Sequence, residues 1–207
     1  MALSDLSFKF YTDTGLTSAF SNLYQLVHET DLSDNPQTFT LYFGSAETSG
    51  SRVLKASSNP GVDQITLTPT YILGEWTAAH AYALGAIIEP VTPNGYKYQV
   101  STAGTSHATT EPTWPTSIGS TVTDGTIVWT CLAIKHPITE IKLALTSGAL
   151  AAATGGAALN LGTSVTSGTS NKVAVYIRFT NTSTTVNDNT GFPELGLYIN
   201  AVQETDA

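Results

Sequence analysis

At 207 residues, with 41% hydrophobic side chains and a single cysteine, the chain can bury a core without help from disulfides. Only 12% of residues are charged, the net charge is −8, and the eight Lys and Arg residues are scattered singly, so no basic run is available to neutralise phosphates and direct nucleic-acid binding is not expected. No stretch approaches the ~18 uninterrupted apolar residues of a membrane helix, and Met1 to Leu6 lack a signal-peptide pattern, so neither membrane insertion nor export by its own signal is expected.

Thr, Ser and Asn take the place of the missing charge. That composition favours strands, because exposed helical faces are normally built from Lys, Glu, Arg and Gln. Residues 6–12 alternate apolar and polar and predict a strand, turned at Asp13-Thr14-Gly15. A second strand is predicted over 22–30, with His28 on the face of Leu26 and read as a packed or edge histidine. Residues 31–36, with Asp31, Asp34 and Asn35, form a loop whose oxygens suit either turn chemistry or a calcium ion, although the spacing is not that of an EF-hand. Residues 38–44 give the strongest strand of this part. Residues 52–56 and 62–68 follow, with Pro69 expected to close the run.

Between 73 and 134 the composition changes. All three tryptophans (Trp76, Trp114, Trp129) lie there, with Pro90, Pro93, Pro112 and Pro115. Short β segments are predicted around Tyr82, at Ile87-Ile88, over 96–100 after a Pro93-Asn94-Gly95 turn, and over 126–132 after Asp124-Gly125. A unit of this size needs dense aromatic packing to be stable. Trp76 and Trp129, in or beside strands with apolar neighbours, are read as its core. Trp114, between two prolines, is the ring expected to be exposed, and with Tyr82, Tyr96 and Tyr98 it makes the candidate contact surface. Cys131 is read as a buried structural thiol, since no CxxC or nearby His gives it a zinc spacing.

Beyond the module, residues 138–145 alternate again. The Ala-rich stretch 148–158 is broken by Gly155-Gly156 and allows one helical turn or a loop. Short segments at 159–162 and 164–165 lead to the best strand of the chain, 172–179. A polar loop is predicted over 181–191 and a last strand over 194–202. Neither flank is a complete domain, so residues 1–72 and 135–207 are read as one discontinuous β-sandwich, immunoglobulin-like or jelly-roll, with 73–134 inserted in a connection. Two sandwiches in series is the competing arrangement. The fold class expected is all-β.

The series Trp76, Tyr82, Gly85, Asn94-Gly95-Tyr96-Lys97-Tyr98, Gly104, Glu111-Pro112-Thr113-Trp114-Pro115 and Asp124-Gly125-Thr126-Ile127-Val128-Trp129 resembles a module recurrent in tailed-bacteriophage virion proteins. Its start is similar to small chitin-binding carbohydrate modules, although the paired aromatics near the end of that pattern have no clear counterpart. The resemblance covers little more than a quarter of the chain. It implies a virion structural protein, assembled in the bacterial host cytoplasm, with other virion proteins as partners: the major capsid protein first, tail components second. A homo-oligomer is expected, and a glycan is a further partner by way of the module.

The residues offer only pieces of an active site. No Ser lies in a Gly-x-Ser-x-Gly elbow, and His28, His80, His107 and His136 stand in unrelated contexts. Glu111 and Asp124 form the one imaginable glycosidase pair, and turn formation explains them better. His80, His107 and Glu111 lack a metal spacing, and Asn187 to Gly191 lacks the distal Glu of a calcium loop. No enzyme activity, cofactor or metal is therefore expected. The function expected is that of a capsid decoration (cement) protein, the alternative being a tail, baseplate or adhesion protein whose module binds carbohydrate.

Overall fold

A computed structural model describes residues 6–20, 33, 35–182 and 194–207. The expected strand at 22–30 with His28, most of the loop at 31–36, and nearly all of the loop at 181–191 lie outside the described residues. In chain order the first strands are β1 (Lys9–Tyr11), β2 (Gln37–Gly44), β3 (Arg52–Ala56) and β4 (Ile65–Tyr71). Then come β5 (Gly74–Glu75), β6 (Ala81–Tyr82), β7 (Ile87–Glu89), β8 (Tyr96–Thr102), β9 (Gly104–Thr105), β10 (Thr121–Asp124) and β11 (Ile127–Ile134). The last are β12 (Ile141–Ala144), β13 (Leu159–Gly162), β14 (Ser164–Thr166), β15 (Val173–Phe179), β16 (Leu195–Ile199) and β17 (Val202–Asp206). The all-β, sandwich-type fold class read from composition and alternation is the one observed.

The chain divides into two compact units. The first comprises Met1–Thr70, Ile138–Asn181 and Leu197–Ala207. Its largest sheet has the order β1-β2-β15-β12, antiparallel throughout, with β2 and β15 paired from Val173 opposite Phe43 to Phe179 opposite Gln37. Side chains alternate across it with period two. Leu41, Phe43, Val175, Ile177, Phe179, Ile141 and Leu143 are buried on one face, while Tyr42, Tyr176, Lys142 and Arg178 lie half-buried on the other. Two three-stranded sheets, β13-β4-β16 and β14-β3-β17, bury Ile65, Leu67, Leu54 and Ala56 completely. Each large aliphatic among these contributes about 1.5–3 kcal/mol relative to an exposed position. Strands from both sides of the aromatic module thus share sheets. The early and late ends of the unit are also tied by polar contacts: the Ser7 amide and hydroxyl both donate to Glu204, each at 2.7 Å, and Arg52 pairs with Asp206 at 2.8 Å.

The second unit comprises Tyr71–Pro137 together with Thr182–Gly196. Its five-stranded sheet runs β10-β11-β8-β7-β5, antiparallel except for β5 beside β7, and β6 pairs with β9 separately. Trp76, Ile88, Tyr98, Val100, Ile127, Trp129 and Cys131 form its core. Gly125 is obligatory here, because its φ is +61° and a Cβ would come within 2.3 Å of the Thr105 carbonyl oxygen.

Three local expectations differ from the structure. Pro69 does not end its strand but lies inside β4, beyond Leu67, the last residue paired with β13; its missing N–H costs no bond on that side. The strand expected from 138 begins with a single 3-10 turn, Ile138–Glu140, before β12. The single last strand is two, because Asn200 breaks it: its side chain accepts the Thr66 amide at 2.9 Å and donates to the Gln64 carbonyl at 3.0 Å, replacing ladder bonds with an amide bridge.

Candidate functional site

The aromatic residues singled out in the sequence, with Glu111 and Asp124, all fall in the second unit, and Asp124 organises them. The β10–β11 turn holds this carboxylate in the core, where one oxygen accepts the indole N–H of Trp76 at 2.8 Å and of Trp129 at 3.1 Å. The other oxygen accepts the backbone N–H of His107 at 2.8 Å. Glu111 does the same for the third tryptophan: it accepts the Trp114 indole N–H at 2.8 Å and the Val91 amide at 2.9 Å. Every indole N–H of the protein therefore ends on a carboxylate. A buried indole leaves an expensive orphan donor unless such an acceptor is supplied.

The rings close on one another. Trp114 packs on Tyr98 with centroids 4.3 Å apart and edge-on to Trp129 at 5.6 Å, while Tyr82 meets Trp129 edge-on at 4.9 Å. Such pairs add about 0.5–1.5 kcal/mol beyond the area they bury. Trp76 and Trp129 are buried. Trp114, expected to be exposed, is instead half-buried, because the indole lies on the core and its N–H is spent on Glu111. Tyr98, part of the expected contact surface, is fully buried; its hydroxyl donates to the Pro115 carbonyl at 2.8 Å and accepts from Asn94 at 2.7 Å, which removes it from any surface role. Tyr82, whose hydroxyl accepts the Thr77 amide, and Tyr96 keep only partial exposure.

Burial pushes both the Tyr98 hydroxyl and the Cys131 thiol above their ordinary pKa values. The His107 ring nitrogen accepts the amides of Thr109 and Thr110, and the His80 ring meets Tyr82 edge-on. Glu111, His80 and His107 thus serve three separate local structures. No cluster of three or more His, Cys, Asp or Glu suited to a metal occurs among the described residues.

Two buried ion pairs escaped the sequence reading. Lys97 and Glu194 are completely buried and meet at 3.1 Å, and Glu194 also accepts the His136 amide at 2.9 Å. Lys135 pairs with Glu89, and its ammonium sits 3.4 Å over the Tyr71 ring. This second pair lies at an open groove of about 520 Å³ lined by Tyr71, Leu73, Glu75, Pro93 and Pro137. Alternation along β8 does put Lys97 opposite the face of Tyr98 and Val100. Its partner, 97 residues away, gives no local signal.

No family model, no curated protein and no solved structure matches the chain.

Proposed function

We propose that the protein is a non-catalytic structural component of a tailed-phage particle, acting through its surfaces as a capsid decoration protein. One observation carries the non-catalytic part of this reading. The two carboxylates that the sequence offers for glycoside chemistry, Glu111 and Asp124, are both consumed as acceptors of indole and backbone N–H groups. A glycosidase needs its pair facing a substrate groove, one as acid and one as base or nucleophile. The virion part rests on the resemblance of the aromatic module, together with a low-charge, hydroxyl-rich β surface suited to many repeated weak contacts on a symmetric lattice.

Immunoelectron microscopy of purified particles of a phage that encodes the protein tests this. Label over the head exterior is expected. Label confined to the tail would favour the second reading, a tail or adhesion protein binding carbohydrate through the partly exposed edges of Tyr82, Tyr96 and Trp114. Absence from the particles would overturn both readings.

A further inference from the structure

The eight basic residues form no run in the sequence, but the fold places four of them on one face. Lys142 on β12 is directly opposite Arg178 on β15, so both project from the same face of the β1-β2-β15-β12 sheet. Lys9 on β1 pairs with Gly44 and shares the face of Tyr42, two residues on. Lys172, just before β15, belongs to this face too, since its Cβ lies 3.2 Å from where a Cβ on Gly44 would be. No strand position on the face carries Asp or Glu, and the carboxylates at its margins are Glu140, buried in the turn ahead of β12, and Asp13 and Glu47, which act on the Tyr11 hydroxyl. Tyr42 and Tyr176 stand half-buried among the cations.

Three of the other four cations are neutralised, while Lys55 on β3, like the four of this face, has no carboxylate partner among the described residues. Arg52, Lys97 and Lys135 each pair with a carboxylate. Lys9, Lys142, Lys172 and Arg178 have no carboxylate partner among the described residues. Lys142 and Lys172 donate only to the carbonyls of Ala151 and Thr169, and the buried Nε of Arg178 has no hydrogen-bond partner. Like charges directly opposite in a sheet are destabilising. The Nε itself is closed off, so what this pair offers an approaching carboxylate is the summed positive charge of a guanidinium and an ammonium with no counter-ion between them.

We propose that this sheet face is a docking surface for a carboxylate-rich polypeptide segment of a partner protein, independently of whether the protein belongs to a virion. Carboxylates fit better than a nucleic-acid strand for two reasons. Base stacking needs rings presented face-out, whereas Tyr42 and Tyr176 are half-buried and Tyr11 is buried. Four cations on a chain of net charge −8 also suit a short acidic segment, while a phosphate backbone continuing past the patch meets net repulsion.

Fluorescence anisotropy with a labelled octaglutamate peptide, run on the whole chain at low salt, tests the proposal. Saturable binding is expected, weakening as salt is raised and falling roughly tenfold or more in Lys142→Glu with Arg178→Glu, but not in Lys55→Glu, which lies on another sheet. Should the double variant fail to fold by circular dichroism, Lys9→Glu at its exposed position serves instead, with a several-fold loss expected. Three results would each overturn the proposal: binding no tighter than to an octaserine peptide, binding unchanged in the face variants, or displacement of octaglutamate by oligothymidylate at lower concentration. Self-association that the face variants abolish and octaglutamate cannot compete would assign the face to a second copy, and would overturn it as well.

Discussion

The Asp124 carboxylate accepts the indole proton of Trp76 from 48 residues away, and with the same oxygen it holds Trp129. Two aromatic anchors of the core are thereby fixed to one turn. Asp124→Ala would leave two buried indole N–H groups without their acceptor, and would release the more accessible His107 amide as well. A loss of about 3–5 kcal/mol is expected from such multiple orphaning. Asp124→Asn, which keeps one acceptor oxygen, should lose less. Urea unfolding followed by tryptophan emission ranks the two; equal stability of Asp124→Ala and the parent would contradict the assigned role.

Glu111 caps Trp114 in a more open setting, so its removal should be milder. Glu111→Ala is expected to cost about 1 kcal/mol, since a partly exposed indole regains a water in place of the lost carboxylate. The near-ultraviolet circular dichroism of the tryptophans should change more in Glu111→Ala than in Glu75→Ala, whose carboxylate accepts none of the three indole N–H groups.

Lys97 and Glu194 predict an asymmetric mutational pattern. Glu194→Ala removes the carboxylate facing a fully buried ammonium and should destabilise by about 3–5 kcal/mol. Replacing both partners with apolar residues, Lys97→Met with Glu194→Leu, should recover most of that loss, because neither charge is then buried alone. Thermal melts of the three proteins decide it, and a double variant weaker than the single one would refute the pairing argument.

Cys131 lies in the core, and burial raises its thiol pKa. Only the thiolate attacks disulfide reagents, so Ellman's reagent near neutral pH should leave the folded protein untouched and titrate one thiol after denaturation.

Asp13 carries a pH dependence of opposite origin. Its carboxylate accepts the Ser18 amide at 2.6 Å, the largest cause of a pKa held below the ordinary 3.8, with help from Thr17 and Gly15. A folded-state value lower than the unfolded one means that the contribution is complete above about pH 3.8 and is lost as pH falls through the lower folded value. Carboxyl-carbon NMR titration should place the Asp13 midpoint below 3.8, and Asp13→Asn should remove this part of the acid-side change in stability.

What could be read in advance followed the range of each interaction. Period-two alternation lies within a few residues, so β2, β3 and β15 were visible as 38–44, 52–56 and 172–179, and the core roles of Trp76 and Trp129 followed from apolar neighbours. Asp124 before Gly125 does build a turn, as its dipeptide suggests. That its side chain would reach Trp76 is a tertiary fact with no local trace. The exposure expected of Trp114 from its flanking prolines was overridden by ring packing on Tyr98, and the interior place of Pro69 depended on where β13 stops. Scatter of the basic residues along the chain also concealed that sheet register brings Lys142 and Arg178 face to face.

Glu194 belongs to the second unit yet is encoded almost sixty residues after Pro137, the end of that unit's longer stretch. A gene fragment spanning only the tryptophan-rich part, grafted into another protein, would carry Lys97 without its counter-ion. Recombination that trades this unit as a cassette must therefore transfer two separated pieces of coding sequence, or replace the lysine at the same time.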